Sequence, residues 1–189
     1  QGPNGAIWAL LALDCNPAYS FPKVKAGGNQ NSREKLIDHL LSVQVPGGGW
    51  AMSGTKADSD LTGMALQALA PYYHKSGYEN VTTAIDQALD VLSAMQNDTG
   101  GFSTTGGQGP VETVESCAQV LTALCALGID PETDPRFIKG GKWMVENLLS
   151  VTRFREGEEV RLKEREELVE EVLEESVTKF HRRFPDQQV

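Results

Sequence analysis

Apolar residues recur along the first 150 positions at helical spacing. Residues 80–96 place Val81, Ile85, Ala88, Leu89, Leu92 and Met95 on one face, and residues 112–127 do the same with Val114, Cys117, Leu121 and Leu124. Glycine pairs and triplets, Gly47–Gly49 and Gly100–Gly101, interrupt the pattern, and such residues stop one helix and turn the chain before the next. The pattern predicts six helices, near 5–14, 31–44, 59–73, 80–96, 112–127 and 134–150. No alternating apolar pattern predicts a strand there, so this part of the chain reads as all-α.

The helices repeat. Gln44 and Trp50 match Gln96 and Phe102 at an offset of 52, and Asp60 and Leu69 match Glu115 and Leu124 at 55, after a three-residue loop insertion. A trace of an earlier copy survives where Ala9–Leu13 matches Ala65–Leu69 at 56. Repeats of about 50 residues mean stacked units, none of which can bury its apolar face alone.

Composition divides the chain near residue 141. Of the 19 glycines, 18 lie in residues 1–141, while charged residues rise from about 16% of that stretch to about 44% of 142–189. Both stretches are acidic, and the net charge of −9 argues against nucleic acid and anionic membrane as partners. No apolar run reaches the roughly 18 residues needed to span a bilayer, so no membrane insertion is expected. The chain opens inside a helical pattern with no leader-like segment, as a cut end would. Three cysteines, Cys15, Cys117 and Cys125, form neither a disulfide framework nor a CxxC pair.

The element Gln44-x-x-x-Gly48-Gly49-Trp50, echoed by Gln96-x-x-x-Gly100-Gly101-Phe102, resembles the QW-type repeat of squalene and terpenoid cyclases. With Asp58–Gly63 and Glu115–Gln119 it is similar to the prenyltransferase/squalene-oxidase repeat modules of bacterial surface proteins. A physical reason stands beside the resemblance: a Gln amide can bond free backbone groups at helix ends while an aromatic closes over the turn. The resemblance implies a partial α/α toroid over residues 1–141, with about three helix pairs of a six-pair ring. Half a ring leaves inner helices partly uncovered, which favours a homo-oligomer.

Each chemistry of that superfamily implies its own residues. Asp58 and Asp60 match the first two acids of the cyclase DxDD motif, which makes Asp60 the candidate proton donor, but Leu61 replaces the last acid. The same acids also read as the cap of a helix beginning at Leu61. Glu115 and Cys117 stand where prenyltransferases carry two zinc ligands, and no histidine occupies the third position. They also read as a first-turn carboxylate and a small core residue. A third branch binds cobalamin without catalysis. On that comparison Trp50, Phe102 and Glu115 are candidate ligand contacts, for a small apolar or cobalamin-like ligand, and the two aromatics equally read as core. The complement-type thioester motif is absent, and no cofactor is implied.

From Trp143 the chain resembles a sensor histidine kinase fragment: the end of the dimerisation helix at Met144–Phe154, then the start of the ATP-binding domain. Val160 and Leu162 read as a short strand, Leu168, Val169, Val172, Leu173, Val177 and Phe180 as one face of a charged helix, and Phe184–Val189 as a further strand. The fragment carries no catalytic element, since His181 lies outside any such motif. The toroid pattern would place a Gln and a glycine turn near residue 152, where Thr152-Arg153-Phe154-Arg155 stands, as at a fusion point. The two resemblances imply different compartments, extracellular or cell surface for the first and cytoplasmic for the second. The function expected is a non-catalytic binding or interaction module. A cyclase or prenyltransferase fragment and a piece of a histidine kinase are the alternatives.

Overall fold

The computed structural model describes residues 2–104 and 111–151. The strand, helix and strand expected between Val160 and Val189, and His181, lie outside the described residues. Within them the fold is helical: α1 Asn4–Asp14, α2 Arg33–Ser42, α3 Ser59–Leu69, α4 Glu79–Met95, α5 Val114–Ala126 and α6 Met144–Val151.

The six segments expected to be helical all contain one, and two of them end differently. The third stops at Leu69 and tightens into a 3₁₀ turn, Ala70–Tyr72, because Pro71 lacks the N–H that would continue the ladder. The sixth begins ten residues later than the pattern predicts. A 3₁₀ turn at Pro135–Phe137 and a Lys139–Lys142 bridge occupy its first part. Gly140 and Gly141 turn the chain there with positive φ (57° and 74°), and a side chain at Gly140 would collide with the Asp98 carbonyl oxygen. The one ladder among the described residues is two residues long, β1 Ser103–Thr104 against β2 Val111–Glu112, antiparallel.

The helices form two layers. In one, α3 lies between α1 and α5, and its contact with α5 is the most extensive in the fold. In the other, α2 packs on α1, α4 on α3 and α6 on α5, giving three helix pairs in chain order. Helix α6, Met144–Val151, which composition groups with the charged tail, thus packs beside α5.

The core fills the space between the layers. Helix α4 buries Val81, Ala84, Ile85, Ala88, Leu89 and Leu92 on one stripe. Central α3 is enclosed on most sides, and its buried residues include Ser59, Thr62 and Gly63 beside Leu61, Leu66 and Leu69. Gly63 is required by proximity: an added Cβ would stand 2.9 Å from the Gln119 carbonyl oxygen of α5. Trp50, Phe102 and Phe137 are fully buried, each worth about 1.5–3 kcal/mol relative to exposure.

Candidate functional site

The two glycine turns carry the same hydrogen bonds in the same register. Val45 N–H donates to Gly49 O and Gly48 N–H to Val45 O, both at 3.0 Å; Asn97 donates to Gly101 and Gly100 to Asn97 at 3.0 and 2.9 Å. After each aromatic the chain returns by a backbone bond, Asp58 N–H to Trp50 O and Thr113 N–H to Phe102 O. Trp50 N–H donates to Thr62 Oγ1 at 3.0 Å, and Phe102 N–H donates to Cys117 Sγ at 3.3 Å. The glutamines reach forward into the next helix pair. Gln44 Nε2 donates to Ala84 O in α4, and Gln96 Nε2 to Phe137 O ahead of α6, both at 2.9 Å. The Gln96 amide serves a carbonyl at the end of a 3₁₀ turn, whereas Ala84 lies inside α4 and its carbonyl takes the Gln44 amide as a second donor beside the helix ladder.

The residues marked out by sequence fall into two groups. Asp58 caps α3, accepting from Leu61 N–H at 2.9 Å, as Thr113 caps α5 through Ser116 N–H at 3.1 Å. Trp50 and Phe102 are wholly enclosed, and the Trp50 indole N–H donates to Leu40 O at 2.8 Å. Both serve as core plugs over the turns. Glu115 and Cys117 are not brought together. Glu115 is exposed and Cys117 is buried, as two positions apart on a helix dictates. Burial pushes the Cys117 thiol up, and its S–H donates to Asn147 Oδ1 at 3.4 Å. Among the described residues no group of three His, Cys, Asp or Glu side chains could hold a metal ion.

Asp60 differs from the other candidate site residues. Its Oδ1 is buried and has no hydrogen-bond partner among the described residues. The same holds for Oδ1 of Asn4, which stands 56 residues earlier in the first turn of α1, and for Oε1 of Gln96, whose amide nitrogen is bonded at the second turn. Asn4, Asp60 and Glu115 therefore occupy matching positions at the starts of the three helices of one layer. The Asn4 amide faces Met52 Sδ at 3.8 Å, and Met52 is exposed. Buried acceptors without donors are rare and costly, about 1–3 kcal/mol each. Asn4 was legible in principle, because the 56-residue register places it with Asp60.

A second polar cluster had no sequence signal. Glu112 Oε1 accepts from Asn97 Nδ2 at 2.7 Å and from Thr99 Oγ1, and Oε2 accepts from Asn147 Nδ2 at 3.0 Å. Burial pushes this carboxyl up, but the hydrogen bonds from Thr99, Asn147 and Asn97 together outweigh it and hold the group below the ordinary Glu range. The cluster joins the second turn to α6. Gly101 makes room for it, since an added Cβ would lie 2.6 Å from the Asn147 amide. Elsewhere an open groove of about 440 Å³ lies between Leu41, Gln44, Thr83 and Gln87. No helix among the described residues is long and apolar enough to cross a membrane. Compared with known proteins, the chain matches no family model, no curated protein and no solved structure.

Proposed function

We propose that this chain is a helix-pair repeat module of the α/α-toroid kind, resembling the repeats of bacterial surface proteins, that binds a small ligand and catalyses nothing. The supporting observation is where the polar atoms are used. Asp58, Gln44, Cys117 and the amide nitrogen of Gln96 hold the turns, while among the described residues Oδ1 of Asn4 and of Asp60, at the starts of α1 and α3, are buried acceptors without donors, as is Oε1 of Gln96 at the second turn. A ligand that brings a hydroxyl or ammonium donor to those oxygens, with an apolar body over Met52, fits this set. Calorimetric titration with farnesol, and separately with cyanocobalamin, tests the reading. Farnesol binding weakened about tenfold or more by Asp60→Leu supports it. Cyanocobalamin binding in its place makes the ligand corrinoid. Silence from both overturns it.

One observation favours a second reading, an enzyme fragment of the cyclase type: the same Asp60 oxygen, which has no partner among the described residues. Turnover of an epoxide-bearing isoprenoid, lost in Asp60→Asn, would establish it. Against it stands Leu61, which occupies the position of the last cyclase acid. Zinc content at or above one equivalent would point instead to a prenyltransferase-like centre, and ATP binding to the kinase reading of residues 143–189.

A further inference from the structure

Matching positions on α1, α3 and α5 differ in burial in a regular way. On α3, Leu61 and Ala68 are buried and Met64 half-buried; on α5, Ser116 and Ala123 are buried and Gln119 half-buried. The equivalent α1 positions, 56 residues before those of α3, are Gly5, Ala12 and Trp8, and all three are exposed, Trp8 by 59%. Their spacing of three and four residues makes one stripe. The opposite side behaves the same way at the other end. Gly63 and Gln67 of α3 receive Gln119 of α5, with Gln67 Nε2 donating to its carbonyl and side-chain oxygens at 3.2 and 3.0 Å. The α5 equivalents, Ala118 and Thr122, are exposed.

We infer that the layer continues between molecules, with the Ala118/Thr122 stripe of one copy of this chain receiving the Gly5/Trp8/Ala12 stripe of a second. The contact prolongs the α1–α3–α5 interface already built inside each molecule. In that register Trp8 of the second copy stands where Gln119 stands against Gly63 and Gln67. A large ring then meets two small side chains, the complementarity that helix packing needs. Neither stripe carries a charge, in a chain whose net charge is −9, so the contact brings no like charges into register. Two different surfaces meet, so the association is head to tail. This inference rests on the helix register and stands apart from the ligand reading.

The test is light scattering over a concentration series, with reductant present. The 20.5 kDa chain is expected to increase in average mass with concentration. Trp8→Lys and Ala118→Lys should each stay monomeric with unchanged circular dichroism, both sites being exposed. Mixed in equal amounts, the two variants should form a dimer and nothing larger, because one intact pair of stripes remains. A wild-type monomer at every concentration overturns the inference. So does association that survives either substitution, or a mixture that stays monomeric. In wild-type protein the Trp8 emission should also shift to shorter wavelength as the mass rises.

Discussion

Phe102 N–H donates to Cys117 Sγ at 3.3 Å, in the position where Trp50 N–H donates to Thr62 Oγ1 at 3.0 Å. A thiol and a hydroxyl thus do the same work, terminating a buried amide behind a core aromatic. Sulfur is the weaker acceptor. Replacing Cys117 with Val should leave that amide unpaired and cost about 1–3 kcal/mol. Cys117→Thr, which restores the first turn's arrangement, should cost clearly less. Denaturant melts of the two variants side by side check this, and equal losses would show that packing rather than the hydrogen bond matters.

Trp50 fills the space over the first turn and also satisfies Leu40 O in the last turn of α2. Trp50→Ala should lose about 3–5 kcal/mol. Trp50→Phe should lose less, keeping most of the packing while giving up the bond to Leu40. An unchanged melting temperature in the alanine variant would remove the tryptophan from its role as anchor.

Two helical glycines make an internal control. Gly63→Ala gains about 1 kcal/mol of helix propensity, but it drives a methyl into the backbone of Gln119, and overpacking of that kind costs about 1–3 kcal/mol. A net loss is expected. Gly5→Ala in α1 meets nothing within 4 Å and should be neutral or stabilising. Urea midpoints that move in the same direction for both would contradict the close approach of α3 and α5.

The Glu112 carboxylate gives the fold an acid sensitivity of definite sign. Its folded pKa lies below the ordinary 4.5, so its contribution is complete above that value and is lost as pH falls through the depressed one. Glu112→Gln should be less stable than wild type at neutral pH, and the gap should close on acidification. Unfolding free energies measured from pH 7 to 2.5 decide it; a gap that stays constant would mean the hydrogen bonds, not the charge, carry the effect.

Much of this architecture was legible before any coordinates. The periodicity of α4 located it almost to the residue, and the offsets of 52 and 55 anticipated the paired turns. What the pattern could not show is partnership across distance. Glu112 gathers Asn97, Thr99 and Asn147, three residues with no common spacing, and only the packing of α6 on α5 brings the last of them near. The late start of α6 escaped for a similar reason. Phe137 looks like part of an apolar helix face, yet its carbonyl is committed to Gln96 and the glycine pair behind it turns the chain. Asn4 is the opposite case, since the 56-residue offset alone matches it to Asp60.

The forward reach of the glutamines sets an order in time. Gln44 binds a carbonyl 40 residues ahead and Gln96 one 41 residues ahead. On the ribosome, each turn therefore emerges with its clasp unfilled and must wait for the next helix pair to be synthesised. Maturation should sweep from the amino end with a lag of one repeat. A nascent chain stalled before α4 has emerged would expose a half-finished turn to chaperones, whereas one from which α4 has emerged and folded would have its first clasp filled.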